Sequence, residues 1–198
     1  MKTTLTILFF LFHSTYLFSQ SLSVKSVEDW IKNCGDTAIA HQSKLFVIDG
    51  IPFDPLNSKA LNDELSRYAW DDPLVYINYG KVNAFHGHGR CFVSIGKAKK
   101  LRRQRKKSLR TINKYFQDNY PLRIHHMLIN AKDPVLMIND KIIHFNIAKQ
   151  RITQLKARKI EYLIYQKKAP QAYYGQNAKN GLVKIYLKGY LQKKEQIR

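Results

Sequence analysis

The chain repeats itself at a spacing of 90 residues, and a repeat that long confines it to two copies of one small architecture. Leu45-Phe-Val-Ile-Asp49 recurs as Val135-Leu-Met-Ile-Asn139, and Phe92-Val-Ser-Ile95 recurs as Leu182-Val-Lys-Ile185. Leu65 and Leu155 share the offset, and Ala84-Phe-His-Gly87 matches Ala172-Tyr-Tyr-Gly175 at 88. Each copy reads strand, turn, strand, helix, strand, glycine loop, strand. The expectation is an α+β fold of two degenerate β-β-α-β-β modules, 21–96 and 119–198, joined by a basic helical linker, 97–118.

The elements follow from local pattern. Short apolar, β-branched runs at 44–48, 74–79, 91–95, 135–138 and 160–165 read as strands. Asp49-Gly50 and Asn139-Asp140-Lys141 read as turns. Ser26 followed by Asp29 predicts a helix over 26–33, ending near Gly35. Leu61, Leu65 and Tyr68 predict a helix over 56–70, and Ile152 with Leu155 predicts one over 148–158. Residues 122–129 are ambiguous between strand and loop. At 172–187 a turn carrying Gly175, a polar loop and Asn180-Gly181 precede a strand over 182–187.

The first twenty residues predict the compartment. Lys2, the apolar run Leu5–Phe12 and small residues at Ser19 and Ser21 have the layout of a secretory signal peptide, 1–20. Export would place the protein in the periplasm, on the outer membrane or outside the cell. No later stretch is long enough to span a membrane as a helix. In that setting Cys34 and Cys91 are candidates for a disulfide, with two buried thiols as the alternative.

Charge points to a class of partner. Lys and Arg number 34 against 14 Asp and Glu. Within Lys97–Arg110 the basic residues are Lys97, Lys99, Lys100, Arg102, Arg103, Arg105, Lys106, Lys107 and Arg110, with no acid among them. Leu101, Leu109, Ile112 and Phe116 predict a helix running to about residue 116. Such a density of cations attracts polyanions, and behind a signal peptide these are lipid phosphates, acidic glycans or extracellular nucleic acid. Tyr162, Tyr165, Tyr173, Tyr174 and Tyr186 have spacings that suit core and strand-pair positions better than base stacking.

The second copy resembles the plug domain of TonB-dependent outer-membrane receptors, most of all the short plug-like modules of exported proteins in Bacteroidetes-type bacteria. The residues that carry this are Pro134–Ile138, Ile160–Ile164 and the closing run Ala172–Gly175 with Ala178–Ile185. Tyr174, Gly175, Asn180 and Gly181 form its most specific part. The first copy keeps the similar opening Leu45–Pro52 but has His86-Gly-His88-Gly-Arg90-Cys91 where the closing motif would be. The likeness covers 45–100 and 135–190. It implies plug-like modules and an envelope location. It does not imply transport, because the chain has no room for a transmembrane barrel.

No nucleophile elbow, phosphate-binding glycine loop or His-Glu-x-x-His run is present. His86, His88 and Cys91 could hold a metal only with a further ligand such as Cys34, His41, His125 or His126. A solvated loop suits them better, and no cofactor or catalytic residue is assigned. The expected function is therefore non-enzymatic: an exported envelope protein that binds a protein partner through plug-like modules. The alternative is a polyanion-binding protein working through 97–110.

Overall fold

The computed structural model describes residues 20–54, 56–82, 90–116 and 132–196. Residues 1–19 of the signal-like segment, His86, His88, His125 and His126 lie outside them. Helices α1 (Val24–Asn33) and α2 (Thr37–Ala40) precede β1 (Lys44–Ile48) and β2 (Ile51–Phe53). Helix α3 (Ser58–Leu65) leads to β3 (Val75–Val82) and β4 (Arg90–Lys97), and α4 (Arg105–Asn113) follows. The chain continues through β5 (Val135–Ile138), β6 (Lys141–Ile143), α5 (Phe145–Gln154) and a 3-10 turn, Ala157–Lys159. It closes with β7 (Ile160–Gln166), α6 (Gln171–Tyr174), a second 3-10 turn (Gln176–Asn180), β8 (Leu182–Leu187) and α7 (Tyr190–Glu195).

The strands form two four-stranded mixed sheets of the same order, β2-β1-β4-β3 and β6-β5-β8-β7. The repeat holds at the level of single hydrogen bonds. Phe46 faces Val93 and Leu136 faces Val183 in the parallel pairs, so both partners move by 90 (136 − 46 and 183 − 93). Asp49 N–H donates to Ile95 O at 2.9 Å, and Asn139 N–H to Ile185 O at 3.0 Å. The side chains repeat too: Asp49 Oδ1 accepts from Lys97 N–H and Asn139 Oδ1 from Leu187 N–H. Asp49 and Asn139 take φ of 48° and 50°, followed by Gly50 at 89° and Asp140 at 61°. Two successive positive-φ residues make the tight hairpin turn whose twist matches its strands, which is why Asp, Asn and Gly stand there.

The sheets differ in what covers them. The first buries one face against α1 and α3 through Val27, Ile31, Leu61, Leu65, Phe46, Ile48, Val93 and Ile95. On its other face Phe92 and Ser94 stay half-buried. The second sheet is covered on both. Ile112 of α4 and Phe116 just after it, with Ala148 and Ile152 of α5, pack on Leu136, Val183 and Ile185. Ala169, Ala178 and Tyr174 cover Val135, Met137 and Leu182 on the opposite side. Strand β8 is thus buried on both faces. Each fully buried aliphatic side chain there contributes roughly 2 kcal/mol.

Several local expectations shift. Helix α1 starts at Val24 because Ser23, with Ser26 at its third position, forms the capping box; Ser26 is not the cap. Helix α3 stops at Leu65, and Tyr68 reaches the core from the following turn. Helix α5 spans Phe145–Gln154, begun by His144, whose ring nitrogen accepts from Asn146 N–H. The largest difference is the basic run, where only Arg105–Asn113 is helical. Residues 98–104 are neither helix nor strand: Ala98 N–H donates to Leu74 O at 2.9 Å and Leu101 N–H to Glu161 O at 2.8 Å. A helix there would stack Lys99, Lys100, Arg102 and Arg103 at three- and four-residue spacing, where like charges repel. Tyr173 is 70% exposed, so it is not a core residue, whereas Tyr186 is 1% exposed and is one. No helix among the described residues is long and apolar enough to cross a membrane.

Beside the junction of the sheets, Asp36 accepts from both the Lys168 ammonium, at 2.6 and 2.9 Å, and the Tyr79 hydroxyl. Burial pushes this carboxyl up, but the bonds from Lys168 and Tyr79 outweigh it and hold the group below the usual aspartate range. A carboxylate depressed in the folded state adds stability above its unfolded pKa of about 3.9, and that stability is lost as pH falls through the lower folded value. Asp36→Asn is therefore expected to flatten the acid limb of a urea-stability profile below about pH 4. A limb as steep as that of the unsubstituted protein would show that this carboxylate does not contribute.

Candidate functional site

The nine cations of 97–110 are divided by the fold into two groups. Lys97 and Lys99 line a groove between the two sheets. Lys97 also pairs with Asp72 at 2.8 Å. From Leu101 onward the chain packs on the face of the second sheet that carries Leu136, Val183 and Ile185. Leu101 and Leu109 pack on its core, and α4 lies against α5 and the turn Ala157–Lys159. The thin apolar line of α4 therefore faces inward, and Arg102, Arg103, Lys106, Lys107 and Arg110 are exposed.

Glu161 organises this region. It is 6% exposed, at the start of β7. Its carboxylate pairs with the Lys100 ammonium and accepts from Gly189 N–H at 3.2 Å. The bond from Lys100 and the backbone N–H, with the nearby charges of Lys100 and Lys188, hold it below the usual glutamate range despite burial. One buried acid thus ties Lys100 to Gly189, just after β8. Lys188 N–H donates to Lys159 O at 2.9 Å, which brings two more cations beside it. Arg158, Lys159 and Lys188 line a shallow pocket of about 510 Å³, with Leu187 as its apolar floor.

Sequence spacing could not find this second cluster. Arg158 and Lys159 are about 50 residues from Arg105, and Lys188 is about 80, yet β7–β8 pairing and the packing of α4 place them on one side of the molecule. Among the described residues, the carboxylate partners of this whole set are Asp72 for Lys97 and Glu161 for Lys100. Lys99, Arg102, Arg103, Arg105, Lys106, Lys107, Arg110, Arg158, Lys159 and Lys188 make no ion pair among the described residues. Arg105 Nε is buried without an acceptor among the described residues. Helix α4 also opens on Arg105, Lys106 and Lys107 with no side-chain cap, placing three cations at the positive end of its dipole. Its other end is stabilised: the Lys149 ammonium donates to Asn113 O and Phe116 O at 2.9 and 2.8 Å. Unpaired cations at an uncapped N-terminus are an arrangement that an anion stabilises.

The other singled-out residues have structural surroundings. Cys34 and Cys91 are both buried and free, and the structure does not join them. Cys91 Sγ donates to Gln42 Oε1 at 2.8 Å, and burial pushes the Cys34 thiol up to about 12. His41 is the exposed C-cap of α2. Among the described residues no group of three His, Cys, Asp or Glu could hold a metal ion. Gly175 and Gly181 bracket the second 3-10 turn at φ of 81° and 118°. Asn180 Nδ2 donates to Asp133 O at 3.3 Å. Tyr174 packs on the buried Ala169–Ala178 cluster. These four residues shape the backbone ahead of β8. No protein-family profile, curated protein or solved structure matches the chain.

Proposed function

We propose that this is a non-enzymatic, exported cell-envelope protein that docks on an anionic surface through the cations of 102–110 together with Arg158, Lys159 and Lys188. In this reading the two sheets are plug-like modules that serve as a scaffold, and lipid phosphates are the groups bound. The observation that carries it is the convergence of unpaired cations from three separate chain segments around one carboxylate, Glu161, whose charge is already engaged. A solvated basic helix explains charge at 105–110 alone; it does not explain why distant cations share the same side.

Flotation with neutral phosphatidylcholine vesicles and with vesicles containing phosphatidylglycerol is the test, with heparin and a single-stranded oligonucleotide as competitors. Binding confined to the anionic vesicles, and lost as salt rises from about 0.05 to 1 M, is the expected result. Equal recovery with neutral vesicles, or binding indifferent to salt, contradicts the proposal. Preferential displacement by heparin or by the oligonucleotide would transfer the site to a glycan or a nucleic acid.

A further inference from the structure

The two sheets meet at their edge strands, β3 and β7, without pairing. Side-chain amides bridge the gap in place of a ladder. Asn78 Nδ2 donates to Tyr165 O at 3.4 Å, Asn78 Oδ1 accepts from Lys167 N–H at 2.9 Å, and Gln166 Nε2 donates to Ile77 O at 3.3 Å. These bonds fix which backbone groups point outward. In an antiparallel pair, residues alternate between directing both N–H and C=O at the partner strand and directing both away from it. Tyr165 O and Ile77 O face the gap, so Leu163 in β7, paired opposite Ile185, also turns its N–H and C=O outward. Glu161 lies at an irregularity in the β7–β8 register, and its carbonyl is taken by Leu101 N–H.

Between the Leu101 bond at one end and the Asn78 bonds at the other, the outward N–H and C=O of Leu163 have no partner among the described residues. A groove of about 460 Å³ opens there, lined by Tyr76, Leu163, Tyr165, Lys97, Lys99 and Asp49. From Glu161 to Tyr165 the edge spans four residue steps, about 13 Å at 3.3 Å per residue. Exposed edges are normally shortened, covered or bulged, because bare N–H and C=O groups template a further strand. Here the edge is left open inside a groove, between two aromatic walls.

We propose that this groove accepts an extended acidic peptide segment of a partner protein, which adds to β7 as a strand of about four residues. The charge of the occupant follows from the ends of the groove. Lys99 lines it, and Lys167 is exposed where Asn78 closes it; neither makes an ion pair among the described residues. The one carboxylate lining the groove, Asp49, is already engaged by the Tyr68 hydroxyl at 2.7 Å and by Lys97 N–H at 3.3 Å. A basic strand would meet uncompensated lysines at both ends; an acidic strand would pair with them.

The test uses the full chain and three fluorescein-labelled heptapeptides, Glu and Val alternating, Lys and Val alternating, and all Glu, read by anisotropy and amide exchange. The Glu-Val peptide is expected to bind at least about tenfold more tightly than either of the others and to slow exchange at Leu163 and Ile77. Lys99→Glu combined with Lys167→Glu, both surface changes, should weaken it by about tenfold while leaving exchange in β8 unchanged. The proposal is overturned by absent binding, by all-Glu peptide binding as well as Glu-Val, or by unprotected Leu163 and Ile77 amides. Each of these leaves the docking of the cations of 102–110, Arg158, Lys159 and Lys188 on lipid untouched.

Discussion

Replacing Arg102, Arg103, Lys106, Lys107 and Arg110 together by glutamine is expected to lower affinity for phosphatidylglycerol-containing vesicles by at least about 100-fold at low salt. Each cation near an anionic surface contributes roughly 1 kcal/mol, so five fully engaged side chains would contribute roughly 5 kcal/mol, and incomplete engagement sets the lower bound. All five side chains are exposed and none has a carboxylate partner among the described residues, so the change removes charge without breaking an ion pair. The fold should survive, since α4 is held by Leu109, Ile112 and Phe116, which are untouched. The salt dependence should flatten in parallel, because fewer counterions are exchanged on binding. An affinity and a salt slope equal to those of the unsubstituted protein would show that these cations are merely solvated.

The second large effect concerns the glycines of the closing motif. Gly181→Ala is expected to cost about 4 kcal/mol of folding stability, and Gly175→Ala about 2 kcal/mol. Both glycines have a backbone that side-chain-bearing residues rarely adopt, with φ of 118° and ψ of 173° at Gly181 and 81° and 177° at Gly175. That conformational strain is of order 1–3 kcal/mol at each. Only Gly181 adds a collision. A Cβ there would lie 2.8 Å from Gln166 O and 2.9 Å from the Tyr165 ring, whereas nothing lies within 4 Å of one at Gly175. The Gln166 carbonyl is backbone of the adjoining strand and cannot swing aside, so β7 would have to shift against β8. Urea denaturation of the two variants checks the difference. Equal losses would mean that Gly181 is needed for its dihedrals alone.

Much of the scaffold was legible because it is local. The apolar run Lys44–Ile48 and its counterpart Val135–Ile138 name their own strands, and the positive-φ turns need the Asp, Asn and Gly found at 49–50 and 139–140. The offset of 90 then carried tertiary information, because Ile48 opposite Ile95 and Ile138 opposite Ile185 are the same contact made twice. The basic segment was misjudged for a physical reason. Between Leu101 and Leu109 there is no apolar residue to tie a helix to the core, and Leu101 is instead tied to β7 by its N–H bond to Glu161 O. A helical pattern can be recognised in one segment; a hydrogen bond to a strand 60 residues away (161 − 101) cannot.

The candidate site was half legible for a related reason. Charge density marks 97–110 directly, but sequence cannot show that Lys97 and Lys99 line the groove between the sheets while α4, carrying Lys106, Lys107 and Arg110, packs beside α5 and the turn Ala157–Lys159. Nor can it single out Arg158, Lys159 and Lys188 from the other lysines and arginines of a strongly basic chain. Glu161 offered one faint signal, as a charged residue inside an otherwise apolar strand run. Such a residue is seldom buried without a partner, and its partner here is Lys100.

The most direct measurement is the vesicle affinity of the Arg158→Gln, Lys159→Gln, Lys188→Gln triple variant, none of whose positions lies in the basic segment. If the binding face is assembled in three dimensions, affinity for phosphatidylglycerol-containing vesicles falls by about 100-fold, roughly 3 kcal/mol for three engaged cations, and the salt dependence flattens. An affinity within about twofold of the unsubstituted protein's, with circular dichroism unchanged, would contradict the account, because that shift of about 0.4 kcal/mol is less than a single engaged cation contributes.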